Sequence, residues 1–335
     1  MIRPLLLAVA LGLAAPSARA DDAPAPTVPA RYRRPLAAAR VLYDDGRYAE
    51  AAAAYRRLLR RAPRMGEAHL GLAESVFAEV DPPVGVGTAS DEQRVALEEA
   101  RVALGRAGDL LPGDARPRRL LGELLLAVGD TVAAIVALRE AVRIAPRDAV
   151  SHNALAAALA TAGDADGAIR ELEAAVQLEP GSAEMRSNLG TLYLARGRAQ
   201  DAVASYRQAL ALAPSDARIR NDLAAALVAT GAIPEAETTL REAIRLDPSD
   251  PEPHVNLGFV LQRTRRAEEA IREYREAIRL DPQHASAWVN LGIALAEMGR
   301  RDDAAAAFRG VLRFDPTNEG ARENLRELLR PRHGP

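Results

Sequence analysis

Five histidines, His69, His152, His254, His284 and His333, are the side chains here best suited to move a proton or hold a metal near neutral pH. Their spacing supports neither role. The chain has no HExxH, and no set of His, Asp and Glu has the local spacing of a zinc site. Cysteine is absent, which removes thiolate nucleophiles, disulfides and cysteine-ligated metal. Lysine is absent too, so all 44 basic residues are arginine and a lysine-bearing phosphate loop is excluded. GVGTASD, residues 85–91, lacks GxGxxG and follows a helical rather than a strand pattern. Carboxylates lie mostly on polar helix faces near arginine, as in Glu268–Arg272, although Glu269–Glu273 pairs like charges. No catalytic group, cofactor or metal is expected. A carbohydrate-related enzyme with a dispersed site is the least favoured reading.

Asparagine, by contrast, recurs in a pattern. Asn188, Asn256, Asn290 and Asn324 fall on one 34-residue spacing, and Asp222 fills the remaining place. Asn153 and Asn221 stand one position earlier in their own repeats. A carboxamide accepts from a peptide N–H and donates to a peptide C=O. A row of them suits an extended chain, largely independent of its side chains. The bland reading is that these residues belong to the repeat and stabilise it locally.

Such spacing requires an element that recurs every 34 residues. Prolines fall at 112, 146, 180, 214, 248, 282 and 316, each step 34 residues. The units between them are 115–148, 149–182, 183–216, 217–250, 251–284 and 285–318. Position 7 is always leucine, position 8 is Gly or Ala, and position 20 is always alanine. Position 24 holds Leu138, Leu172, Tyr206, Leu240, Tyr274 and Phe308. Apolar residues recur at helical spacing within each half. The small residues let two helices approach, and the large one fills the space against neighbours. Gly129, Gly163, Gly197, Gly231 and Gly299 mark the end of the first helix at position 15, with Arg265 the exception. Asp114, Asp148, Ser182, Asp216, Asp250 and Asn318 stand at position 34, ready to cap the next helix; Met65 and His284 depart from that pattern.

In period and residue columns the chain resembles the tetratricopeptide repeat (TPR) family. The resemblance implies an all-α fold, a right-handed alpha-alpha superhelix or TPR solenoid. It also implies that positions 2, 5, 6, 9, 12 and 13 of each first helix face a concave groove. The partner-binding residues expected on that basis are Asn188, Asp222, Asn256, Phe259, Asn290, Ile293 and Asn324. Leu194, Val228, Gln262, Arg263, Ser286 and Glu297 share the same face. The carboxylate clamp of chaperone-tail-binding members needs lysine, which is missing.

The pattern extends both ways. Residues 32–65 form a further unit, with Ala51 and Tyr55 in the columns. The second unit, residues 66–114, carries 15 extra residues, with 81–91 the obvious excursion, although its second helix could also be lengthened. Eight TPR-like units thus cover residues 32–318, a terminal capping helix follows at 319–330, and 331–335 is a tail. Residues 1–20 combine Arg3, an apolar run at 5–15 and Ala18-Arg19-Ala20, the marks of a secretory signal peptide cleaved after Ala20. Residues 21–31 are a flexible Pro/Ala-rich leader. The net charge of -2 argues against broad nucleic-acid binding. The expectation is a periplasmic or secreted scaffold that binds a protein or extended peptide, without nucleic acid and without membrane insertion once the signal is removed. A structural spacer or assembly factor binding through another face is the alternative.

Overall fold

The computed structural model describes residues 28–80 and 90–330. The expected signal peptide, most of the expected leader, residues 81–89 of the insertion and the expected tail lie outside them. Every regular element among the described residues is an α-helix, seventeen in all. They divide into two compact units, the first ending at Pro180 and the second beginning at Gly181. The first unit holds four helical hairpins: α1 (Ala30–Asp44) with α2 (Tyr48–Arg61), α3 (Gly66–Val80) with α4 (Asp91–Leu110), α5 (Arg116–Ala127) with α6 (Thr131–Ile144), and α7 (Ala149–Thr161) with α8 (Ala165–Leu178). The second holds α9 (Ala183–Ala195) with α10 (Ala199–Leu212), α11 (Ala217–Thr230) with α12 (Ile233–Leu246), α13 (Pro251–Arg263) with α14 (Ala267–Leu280), and α15 (Ala285–Glu297) with α16 (Arg301–Phe314). The final α17 (Glu319–Leu329) packs on α16. This is the TPR solenoid class.

Part of the long unit's extra length is helical. Its second helix, α4, runs 20 residues where α6, α8 and α10 each run 14. A capping box opens α4, with Ser90 Oγ accepting from the Gln93 N–H and the Gln93 side chain accepting from the Ser90 N–H.

Side-chain caps mark where the first helices α7, α9, α11, α13, α15 and α17 start. Asp148, Ser182, Asp216, Asp250 and Asn318 all accept from the first turn of the following helix. His284, expected to break this column, keeps it. Its Nδ1 accepts from the Ala287 N–H at 3.3 Å while Nε2 faces Glu252 Oε1 at 3.1 Å. An imidazole with its proton on Nε2 can therefore do what a carboxylate does. The expected Glu268–Arg272 pair is replaced by Glu269 with Arg272 at 4.0 Å. The Glu269–Glu273 repulsion is relieved, because Glu269 pairs with Arg266 and Glu273 with His254.

The glycines of position 15 lie at φ values from 74° to 86°, and Arg265 follows them at φ 62°, the one non-glycine with positive φ among the described residues. A Cβ there crowds the backbone. Arg265→Gly should stabilise the protein by up to about 1 kcal/mol, read as a higher urea midpoint. A lower midpoint would reject strain at this cap.

Core packing is set by positions 8 and 24. Tyr206, Leu240, Tyr274 and Phe308 are essentially fully buried. A Cβ on Gly258 would lie 2.5 Å from the Tyr274 ring, and one on Gly292 would lie 2.5 Å from Phe308. Where position 24 is the smaller Leu172 or Leu240, position 8 is Ala156 or Ala224. The match holds in the units from 149 to 318, while in unit 115–148 Gly122 lies against Leu138. Tyr55, whose own unit has Ala39 at position 8, lays its ring against Gly71 on α3.

Candidate functional site

Successive first helices of the second unit carry the asparagine row. Asn188 on α9, Asp222 on α11, Asn256 on α13, Asn290 on α15 and Asn324 on α17 are all half-buried. Each stands one residue before the leucine of position 7, which is buried on α9, α11, α13 and α15. Asn256 Nδ2 donates to Asn221 Oδ1 on the preceding first helix at 2.8 Å. One carboxamide hydrogen of the row is therefore engaged within the protein, linking α11 to α13.

Asp222 differs from its neighbours. Burial pushes its carboxyl up to about 6, Arg218 only partly opposes this from 3.9 Å, and Asp216, Asp250 and Glu252 add to the rise. Phe259 is 44% exposed and sits under the Arg263 guanidinium, 5.8 Å from its centroid. Ile293, one repeat on, is half-buried, as are Leu194, Val228 and Ser286. Gln262 Nε2 donates to Glu297 Oε2 at 2.6 Å, and its Oε1 accepts from the Tyr274 hydroxyl at 3.1 Å. Gln262 and Glu297 thus satisfy one another across the repeat boundary. The face offers amide donors and acceptors, one carboxyl and an apolar strip from Phe259 to Ile293.

Position 4 has a structural task. Ring nitrogens of His69, His152 and Trp288 meet the carbonyls of Pro63, Pro146 and Pro282, six residues back, at 2.9, 3.1 and 2.9 Å. His152 and His254 also face Glu171 and Glu273 through Nδ1, each at 2.7 Å. These rings fasten turns and helix pairs. Among the described residues no group of three His, Cys, Asp or Glu could hold a metal ion.

A second polar cluster, in the first unit, went unnoticed in the sequence. Arg40 Nη1 reaches Glu74 Oε2 at 2.7 Å, and Arg119 Nη1 reaches Glu123 Oε1 at 2.6 Å. Burial pushes the Glu74 carboxyl above the usual carboxylate range despite Arg40, Arg116 and Arg119. Arg40, Glu74 and Glu123 all occupy position 9, so charge recurring in that column was the available signal.

The fold is that of a TPR-type repeat protein. The chain belongs to the tetratricopeptide-repeat family: a model described as "Cilia and flagella-associated protein 70 C-terminal domain" matches residues 154–334, and one described as "Tetratricopeptide repeat" matches residues 36–83. No curated protein matches in a sequence search. Among solved structures, the APC/C hetero-tetramer Cut9-Hcn1 is similar at TM-score 0.59 and 16% identity, over 88% of this chain and 55% of that one. The type IV pilus biogenesis factor PilW is similar at TM-score 0.58 and 17% identity, over 63% of this chain and 98% of that one. PilF of Pseudomonas aeruginosa is similar at TM-score 0.54 and 23% identity, over 64% of this chain and 97% of that one. These likenesses concern the fold. No helix among the described residues is long and apolar enough to cross a membrane.

Proposed function

We propose that the chain is a non-catalytic extracytoplasmic scaffold. In this reading it binds an extended peptide or protein segment along the first-helix face of its second unit, on Asn188, Asp222, Asn256, Phe259, Asn290, Ile293 and Asn324. The single observation that carries the reading is the row itself, half-buried carboxamides at one register beside the exposed ring of Phe259. An extended segment would meet an amide once per repeat and place an apolar side chain against Phe259. Asn290 and Asn324 have no side-chain hydrogen bond within the described protein, so their amides stand ready for a partner's peptide groups. The Asn256–Asn221 bond favours the competing reading, in which asparagine stabilises the stack.

The two readings separate in one experiment. An Asn256→Ala/Asn290→Ala protein should bind a pulled-down partner's mapped peptide at least tenfold more weakly in calorimetry, since each unmade buried hydrogen bond costs about 1–3 kcal/mol. Circular dichroism should remain close to that of the parent. Unchanged affinity with a lowered melting temperature would assign the asparagines to stability alone.

Location rests on residues 1–20, which we read as a signal removed before a leader at 21–31, with the array at 32–318 and the cap at 319–330 following. N-terminal sequencing of protein from its native host should then begin at Asp21. Soluble protein that starts at Met1 would overturn the export reading.

A further inference from the structure

The charge of the first hairpin is divided unevenly between its two ends. At one end, acids and bases are matched: Arg40 pairs with Asp44 at 3.0 Å and Arg47 with Glu50 at 2.6 Å. At the other, Arg31, Arg33 and Arg34 open α1, while Arg60, Arg61 and Arg64 close α2 and begin the turn after it. All six are exposed, and none has an ion-pair partner among the described residues. The Tyr32 hydroxyl donates to the Arg61 carbonyl at 3.1 Å, which ties the start of α1 to the end of α2 and sets both arginine groups at one hairpin end. The nearest carboxylate in sequence, Glu67, is taken by Arg116 at 3.7 Å.

A fourth segment extends the patch. His69 meets the Pro63 carbonyl at 2.9 Å, inside the turn that carries Arg64. Burial holds its imidazole below the ordinary histidine range, and the charge of Arg106 on α4 acts in the same direction. Arg106 is exposed as well. The protein as a whole carries a net charge of only -2, so this concentration is local.

We propose that this end of the first hairpin is a docking surface for an anionic phospholipid bilayer. A peptide read in register needs an apolar anchor or amide donors between its charges. Here the exposed residues among the arginines are Pro29, Ala30, Pro35, Ala37, Ala38 and Pro63. Single-stranded nucleic acid needs aromatic platforms, but Tyr32 is half-buried and already covered by Arg31 at 4.8 Å. A plane of lipid phosphates requires only unpaired basic charge within a Debye length of it. The patch also adjoins Val28, whose carbonyl accepts from Arg33 Nε at 3.1 Å. The binding is adsorption, and it is independent of the asparagine row.

The test is vesicle co-sedimentation of the protein with phosphatidylcholine vesicles containing no phosphatidylglycerol or 30% of it. Partitioning should require phosphatidylglycerol and should fall at least tenfold between 50 and 500 mM NaCl. Each arginine held at such a surface raises partitioning by about fivefold. Arg34→Gln/Arg60→Gln/Arg61→Gln/Arg64→Gln should therefore lose at least tenfold and, at the limit, on the order of several hundredfold. Arg101→Gln/Arg143→Gln/Arg245→Gln/Arg279→Gln removes the same charge from arginines paired within their own helices. It should bind nearly as the parent does. Circular dichroism checks that both variants are folded. Equal losses in the two variants, or binding without phosphatidylglycerol, would overturn the proposal. So would tighter binding to polyglutamate or to a DNA duplex than to the anionic vesicles at the same salt.

Discussion

Gly258→Ala should lower the stability of the second unit by about 1–3 kcal/mol, against the roughly 1 kcal/mol that alanine brings to a helix interior. The new methyl would lie 2.5 Å from a ring atom of Tyr274, which is fully buried and cannot swing aside. The chain itself holds the remedy. Ala156 faces Leu172, and Ala224 faces Leu240, at the same two positions. Gly258→Ala/Tyr274→Leu should therefore recover much of what the first substitution loses, with a favourable coupling of about 0.5–3 kcal/mol. Tyr274→Leu alone should itself destabilise, because it opens space beside Gly258 and releases the bond to Gln262. Urea midpoints of the four proteins close the cycle. Purely additive effects would show that the two positions do not constrain each other. Midpoints are the safer reading, because a repeat array need not unfold in two states.

Asp222→Asn should stabilise the protein at pH 7 and leave it unchanged near pH 4. The folded-state carboxyl sits at about 6, above its ordinary value of 3.8, so the native protein binds this proton more tightly than the unfolded chain does. The stability contributed by the protonated acid is complete below pH 4 and is lost as pH rises through 6. At neutral pH the buried carboxylate then costs up to about 3 kcal/mol, and the 22% of the side chain that solvent reaches lowers that ceiling to about 1–2 kcal/mol. Glu74 and His284 also titrate in both proteins, but their contributions cancel in the difference. Urea midpoints of parent and variant from pH 4 to 8 test this. A gap of constant size would mean that Asp222 is not the titrating group.

The architecture was readable because its determinants are local and repeated. A leucine seven residues into each unit, an alanine at position 20 and a cap at position 34 report on packing that every hairpin shares. Arg265 was readable for the same reason, as a break in a column whose backbone requirement is known. Where the sequence misled, the deciding partner lay in another repeat. His284 caps α15 because Glu252, 32 residues earlier, receives its other nitrogen. The state of Asp222 depends on carboxylates from two neighbouring units. The Arg40–Glu74 pair joins residues 34 apart, one full period, and a search within single helices passes over it. The asparagine row was visible as spacing, while the Asn256–Asn221 bond depends on the distance between two stacked helices.

The ring nitrogens that hold proline carbonyls make the turns between hairpins unequal. The turns at Pro63, Pro146 and Pro282 are each pinned from the next helix. At Pro214 the corresponding side chain is Arg220, whose buried Nη1 finds no partner among the described residues. Under tension the array is therefore a set of couplings of graded strength. The turn between α14 and α15 carries a side-chain tie that the turn between α10 and α11 lacks, so the connections of the second unit resist extension unequally.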